Sequence, residues 1–273
     1  MNVNFLTENF LYFIHGLEKY EKRLTRSQSY KDRTIVKWKK KSNISWSLAK
    51  KILSKLEIYN GQKVRSIINK IVEDNKDIFE RDNCYLASFG DAGKSGQNIL
   101  YDARNTDLGR DGSRFKSAHE LTNMPSGSTI IFFDDLIGTG TQSVEYIQSK
   151  LNYLIQPSHK TYLVSICATP EGIKAVEDNS NFKVLAGVIL NKTQYQFTDD
   201  ECNEFSFKEK IVLRDLNTRL SKPNIRNYNQ GLLLAFYSST PNNCMPIIWK
   251  DKYKYKDAQQ KDRQWLALLP RAY

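Results

Sequence analysis

The residues best equipped for chemistry are two adjacent acids followed by glycines and hydroxyls: Asp134-Asp135-Leu136-Ile137-Gly138-Thr139-Gly140-Thr141. The apolar run Ile130-Ile131-Phe132-Phe133 precedes them, and a helical pattern starts near Thr141. Gly138 and Gly140 let the backbone approach a ligand and permit positive φ. The amides of Thr139 to Gln142 then lie at a helix start, where unsatisfied N–H groups and the helix dipole attract an anion. Thr139, Thr141 and Ser143 add hydroxyl donors. The two carboxylates need another partner, because they repel phosphate. They suit the hydroxyls of a neutral sugar or a hydrated Mg2+. An anion cradle beside diol-binding carboxylates describes a 5-phosphoribosyl group. Taken singly, an Asp-Asp pair fits a solvated loop and Gly-Thr-Gly an ordinary tight turn. Their order, behind an apolar strand and ahead of a helix, favours a ligand loop.

Such a loop needs a rigid platform. From Cys84 onward, short apolar runs predict strands over 85–89, 129–133, 162–168 and 182–190. Helical segments alternate with them at 97–104, 141–154 and 170–178, the last with Thr169 as N-cap, Pro170 in the first turn and Glu171 behind it. Continuous apolar strands are those buried on both faces, as in a parallel sheet. The alternation implies an α/β doubly wound sheet whose ligands bind at the carboxyl ends of the strands. Residues 1–80 read as helical. Leu6, Phe10, Phe13, Ile14 and Leu17 share one helical face, and Leu48, Ile52, Leu56 and Tyr59 form a stripe over 45–59. Asn60-Gly61 stops that helix, and Val64, Ile67, Ile68, Ile71 and Val72 begin another. Beyond 190 the pattern weakens, with apolar runs only at 211–213 and 231–237. The expected division is a helical basic region over 1–80, a parallel-sheet core over 81–235 and a C-terminal cap over 236–273.

Composition bounds the partners. The chain has 273 residues and a net charge of +11, which favours anionic partners. Between Lys31 and Arg65 eleven Lys or Arg stand against two acids, a net of +9. Lys37, Lys39, Lys40 and Lys41, with Trp38 among them, are candidates to grip nucleic acid by phosphate contacts and stacking; a solvated helix face reads equally well. No apolar run approaches the roughly 20 residues that span a bilayer. The N-terminal stretch lacks a basic leader and a small-residue cleavage site, so a cytoplasmic protein is expected. Cys84, Cys167, Cys202 and Cys244 form no C-x-x-C pair, and the three histidines are equally scattered, so neither a zinc site nor a disulfide framework is expected. Gly93-Lys94-Ser95 ends like a Walker A loop, but the first glycine would fall at Ser88. Asp102, Arg104, Asp107, Arg110 and Arg114 suit either a lid or a solvated charged loop.

The stretch from 130 to 142 resembles the phosphoribosyl-pyrophosphate loop of type I phosphoribosyltransferases. The resemblance implies that Asp134 and Asp135 meet the ribose 2- and 3-hydroxyls. It implies that Gly138, Thr139, Gly140, Thr141 and Gln142 hold the 5-phosphate. A pyrophosphate loop then falls at Gly90-Asp91-Ala92-Gly93-Lys94-Ser95-Gly96, with Gly93, Lys94 and Ser95 on the pyrophosphate and Mg2+ bridging from Asp134 and Asp135. The implied catalytic set is Asp134, Asp135 and Lys94. The segments Gly231-Leu232-Leu233-Leu234-Ala235-Phe236, Thr240-Pro241-Asn242-Asn243-Cys244-Met245-Pro246-Ile247-Ile248-Trp249 and Leu268-Leu269-Pro270-Arg271, with Trp265, are similar to a phosphoribosyltransferase-like family of bacterial conflict systems, PRTase-CE. Cys244 stands where Thr is expected. That resemblance implies a component of an antiphage defence system, of retron or nucleotide-signalled type. Its ligand would be phosphoribosyl pyrophosphate or a nucleotide. Its setting would be a complex with protein partners, as an enzyme or as a non-catalytic sensing or structural subunit.

Overall fold

A computed structural model describes residues 35–220, 230–250, 253–256, 262–265 and 267–269. The apolar face expected over Leu6 to Leu17 lies outside the described residues. The chain forms two compact units, one of them Gly61–Asn191. The other combines chain from both sides of it.

The Gly61–Asn191 unit is built on four parallel strands in the order β2-β3-β4-β5: β2 (Cys84–Ser88), β3 (Thr129–Ile137), β4 (Lys160–Ala168) and β5 (Phe182–Ile189). Ile130 to Phe133 and Leu163 to Ala168 are fully buried, as continuous apolar strands require. The two-residue period divides the packing between the faces. Phe132, Leu163 and Phe182 join Ile147, Leu151 and Val176 in one cluster. The helices on that face follow β3 and β4. They are α6 (Thr141–Tyr146), continued by a π-helical turn at Ile147–Leu151 and by α7 (Asn152–Leu154), and then α8 (Pro170–Asp178). On the other face α5 (Ser95–Arg104) packs on β2 and β3, and α3 (Gly61–Asp74), followed by the short α4 (Lys76–Phe79), packs on β4, β5 and α5. Gly187 of β5 faces Ile67 and Ile71 of α3. The sequence grouped α3 with the N-terminal basic region, but its apolar stripe is buried on the sheet.

Phe115 extends the sheet. It bridges Leu86 in parallel on the edge of β2 away from β3, and Lys116 N–H donates to the Leu86 carbonyl at 2.9 Å. The chain therefore leaves β2 outward through α5 on one face, and leaves β3 inward through α6 on the other. This is a doubly wound sheet with its reversal between β2 and β3, the place where such sheets open a crevice at their carboxyl ends.

The second unit holds α1 (Ile35–Ser42), α2 (Trp46–Lys55), β1 (Glu57–Tyr59), α9 (Lys192–Tyr195), α10 (Phe207–Leu220), β6 (Leu234–Phe236), α11 (Pro246–Trp249) and the antiparallel pair β7 (Tyr253–Lys256) and β8 (Asp262–Trp265). The Ser45 hydroxyl caps α2 by accepting from Leu48 N–H. The predicted helix to Tyr59 ends early. Leu56 is extended, Glu57 N–H donates to the Leu233 carbonyl, and β1 pairs in parallel with β6. Tyr59 stacks on Phe236 with ring centroids 5.1 Å apart, so its burial comes from strand pairing rather than from a helical face. Trp38 is buried, and its indole N–H donates to the Ile247 carbonyl at 2.8 Å, which removes it from any stacking role. The family-like tail is tied in by the Thr240 hydroxyl on the Leu269 carbonyl and by the Cys244 thiol on the Leu234 carbonyl.

One close approach fixes α5 against the sheet. A methyl group on Gly96 would lie 2.1 Å from the Phe89 carbonyl oxygen and 2.6 Å from that of Phe133. Gly96→Ala is therefore expected to destabilise the chain by about 1–3 kcal/mol, as overpacking does. Urea unfolding followed by tryptophan fluorescence measures this, and an unshifted midpoint would contradict so tight a contact.

Candidate functional site

The strand carrying the acids runs further than its sequence suggests. Asp134 and Asp135 lie within β3, not beyond it, and Asp134 pairs with Ser165 as Leu136 does with Cys167. Asp134 is half-buried, and Asp135 is 7% exposed. Each carboxylate turns onto the next amide: Asp134 Oδ1 accepts from Asp135 N–H at 2.9 Å, and Asp135 Oδ1 from Leu136 N–H at 2.8 Å. The Asp135 charge acts on the neighbouring Asp134 carboxyl.

Ser95, at the start of α5, donates its hydroxyl to Asp134 Oδ1 at 3.0 Å. The two loops singled out in the sequence thus meet across the β2/β3 reversal. Lys94 is exposed in the N-cap position of α5, and Gly93 donates its amide to the Gln97 side chain at 2.9 Å. Phe89 N–H donates to the Phe133 carbonyl and closes the crevice floor.

Beyond β3 the turn is anchored from below. The Thr169 hydroxyl donates to the Gly138 carbonyl at 2.6 Å and accepts from Gly172 N–H at 3.1 Å. Thr169, read from sequence only as an N-cap, therefore also holds the Gly138 to Gly140 turn. Of the two expected glycines only Gly140 takes positive φ, at 76°, as the residue before α6. The first bond of α6 runs from Val144 N–H to the Gly140 carbonyl, so the amides of Thr141, Gln142 and Ser143 precede the helix ladder. Thr141 and Gln142 are exposed, and the Thr139 and Thr141 hydroxyls lie 3.2 Å apart. The sequence did not point to Tyr146. Its ring packs edge-on against Phe89 at 5.0 Å; burial, and then the charge of Asp91, push its phenol above the ordinary range. Only a three-dimensional neighbour relation, five residues beyond Thr141, puts it there.

The donor chemistry suits Mg2+. Two adjacent carboxylates are hard oxygen ligands, and Mg2+ takes one or two of these with water and substrate phosphates completing its shell. Among the described residues no cluster of three His, Cys, Asp or Glu forms a closed cage.

The other candidates have structural duties. Asp102 is buried and pairs with Arg65 at 3.0 Å. Arg114 donates to the Cys84 and Phe79 carbonyls, Arg104 lies over the Phe115 ring, and Arg110 pairs with Asp107 at the surface. In the basic run Lys39 Nζ sits 5.2 Å from the Trp46 ring centroid, Lys40 is exposed and Lys41 is half-buried. These three occupy the last turn of α1, where cations favour the dipole. The Lys37 side chain lies outside the described residues.

Burial first, and the Asp135 charge second, hold the Asp134 carboxyl well above the ordinary carboxylate range, against the opposing hydrogen bonds from Asp135 N–H and Ser95. The folded chain favours the protonated acid. Its contribution to stability is full below the unfolded value near 3.8 and is lost as pH rises through the folded titration. Asp134→Asn should therefore melt higher than the parent protein at pH 7, each 1 kcal/mol of relief being worth about 2–4 °C. The advantage should vanish toward pH 4. Scanning fluorimetry from pH 4 to 8 tests this; parallel melting curves for the two proteins would refute it.

No curated protein sequence matches the chain. Among solved structures it is similar to orotate phosphoribosyltransferase from Aeropyrum pernix, at 11% identity over 46% of this chain and 69% of that one, with a TM-score of 0.31. It is similar also to xanthine-guanine-hypoxanthine phosphoribosyltransferase of Helicobacter pylori, at 15% identity over 50% and 84%, with a TM-score of 0.31. Among the described residues no helix is long and apolar enough to cross a membrane. The PRTase-CE family profile matches residues 12–271, and with a doubly wound sheet bearing the Asp134 to Thr141 loop at its reversal, the chain belongs to the PRTase-CE family.

Proposed function

We propose that the Gly61–Asn191 unit binds the 5-phosphoribosyl group of phosphoribosyl pyrophosphate or a nucleotide, as a component of a bacterial antiphage defence system of retron or nucleotide-signalled type. The observation that carries the ligand reading is the consecutive pair Asp134–Asp135 at the end of β3, beside a turn whose next three amides stand ahead of the helix ladder. Ribose hydroxyls donate to the carboxylates, and the 5-phosphate accepts from the Thr139 to Gln142 turn. Lys94 places positive charge where pyrophosphate departs. Bound Mg2+, held by Asp134 and Asp135, would neutralise the pyrophosphate. Phosphoribosyl or pyrophosphoryl transfer then needs positioning and charge rather than a protein nucleophile.

A second reading, a non-catalytic sensing or structural subunit working with protein partners, is favoured by two internal bonds. The Gly93 amide is spent on Gln97, and the Ser95 hydroxyl on Asp134, so two of the donors expected on pyrophosphate are engaged within the fold. Turnover by the isolated protein separates the two readings.

Asp134→Asn with Asp135→Asn tests the site. Charged hydrogen bonds of this kind are worth about 1.5–3 kcal/mol each, so the double variant should bind phosphoribosyl pyrophosphate with Mg2+ on the order of a hundredfold more weakly while staying folded. Calorimetry reads the affinity. Equal binding by both proteins would remove the ribose role of the acids.

Nucleic-acid binding by the Lys37, Lys39, Lys40 and Lys41 run is a separate proposal, resting on its charge and on the exposure of Lys40. Its affinity should fall with salt by about 0.7–0.9 log units per log unit for each phosphate neutralised. Lys40→Glu should reduce that slope by about one phosphate's worth in a fluorescence-anisotropy titration. An unchanged slope would move the contact elsewhere.

A further inference from the structure

The two halves of the candidate site differ in what they leave open to a ligand. The turn after β3 is anchored and open. Its Gly138 carbonyl accepts from the Thr169 hydroxyl at 2.6 Å. A methyl group on Gly140 would lie 2.7 Å from Ala175 Cβ and 2.8 Å from the Gly172 carbonyl oxygen, so the turn is seated directly on α8. The helical run that it opens continues through Leu154. The amides of Thr141, Gln142 and Ser143 precede the first bond of that run, and Thr141 and Gln142 are exposed. No acid lies between Gly138 and Gln142.

The loop between β2 and α5 is the reverse, because its donors are turned onto its own chain. The Gly93 amide donates to Gln97 Oε1 at 2.9 Å, and the Lys94 amide to the Asp91 carbonyl at 3.1 Å. The Ser95 hydroxyl donates to Asp134 Oδ1 at 3.0 Å. Gln97 Oε1 therefore holds the place on the Gly93 amide that a pyrophosphate oxygen would take. Lys94 supplies positive charge, but its stem lies back over Gly90, with Lys94 Cβ 3.2 Å from where a Gly90 methyl would be. Asp91, exposed in the same loop, sets a negative charge against it.

This asymmetry selects among phosphoribosyl compounds. A ligand whose only phosphate is the 5-phosphate uses the open half and leaves the other loop's bonds in place. A ligand that also carries pyrophosphate on the anomeric carbon is met by that loop only after internal hydrogen bonds break, and each exchange returns only a small net gain. We infer, resting on the phosphoribosyl reading above, that the site selects a pentose 5-phosphate monoester without pyrophosphate, the class of ribose 5-phosphate and nucleoside monophosphates. Gln97 is the residue that sets this selectivity. The chain then receives the product side of a phosphoribosyl transfer more readily than the donor side.

The probes are ribose 5-phosphate and phosphoribosyl pyrophosphate, which differ only at the anomeric carbon. Each is titrated with Mg2+ into the full chain by calorimetry. Ribose 5-phosphate is expected to bind at least about tenfold more tightly, the equivalent of one or two net hydrogen bonds. Gln97 is exposed, so Gln97→Ala removes the internal acceptor without touching the core. That variant should tighten phosphoribosyl pyrophosphate by about threefold or more and leave ribose 5-phosphate unchanged. Phosphoribosyl pyrophosphate binding as tightly as ribose 5-phosphate to the parent chain would overturn the inference and leave the phosphoribosyl reading standing. The same holds if Gln97→Ala leaves phosphoribosyl pyrophosphate affinity unchanged, weakens it, or alters both ligands alike. If neither probe binds at millimolar concentration, the phosphoribosyl reading itself fails and the inference falls with it.

Discussion

Two consecutive acids at the end of a buried strand are the constraint around which the α/β unit is organised. Strand geometry directs successive side chains to opposite faces. Here each carboxylate turns back onto the following amide, and the pair lies where β2 and β3 send their chains to opposite sides of the sheet. The surrounding features serve that placement. Gly96 lets α5 approach close enough for Ser95 to reach Asp134, and Thr169 fixes the Gly138 carbonyl from beneath. The repulsion that results is a local instability. On the proposed function, a ligand that donates hydrogen bonds or carries positive charge would relieve it, which would couple stability and binding at one pair of residues.

Most of the sheet was legible in the sequence because burial on both faces leaves an unmistakable mark. Ile130 to Phe133 and Leu163 to Ala168 have no polar alternation except Ser165, which is buried and donates to the Cys167 carbonyl. The cap at Thr169 was legible for an equally local reason, since its hydroxyl needs only the first turn of α8. What escaped depends on distant partners. Leu56 to Tyr59 fit a helical stripe by spacing, but β6, far along the chain, supplied strand bonds for that segment. α10 carries polar residues between its buried Leu213, Leu216 and Leu220, and its moderate apolar pattern was submerged in a charged stretch. The charge step near residue 80 marked a change of composition and not a packing boundary, because α3 is polar outward and apolar inward.

The site divides in the same way. Asp134, Asp135 and the glycine turn stood out because of their residue types and spacing, and the structure places them at the sheet reversal. The contact of Ser95 with Asp134 joins residues 39 apart and follows from topology alone. Trp38 shows the converse error: a tryptophan among lysines looks like a stacking platform, yet its ring is spent on the core. Tyr146 had no signature, being an ordinary helix residue whose place beside Phe89 is set by the fold.

The parallel pairing of β1 with β6 joins residue 57 to residue 234, and the Thr240 hydroxyl reaches Leu269. The Gly61–Asn191 unit is thus an insertion within the second unit's chain. During synthesis the insertion has all its strands once residue 189 has been made, whereas β1, complete at residue 59, must wait for β6 at residue 234, about 175 residues later, or roughly 9–35 seconds at about 5–20 residues per second. For that interval the edge of β1 is an unpaired template, and the molecule's exposure to mispairing is set by the rate of translation rather than by the stability of its finished fold.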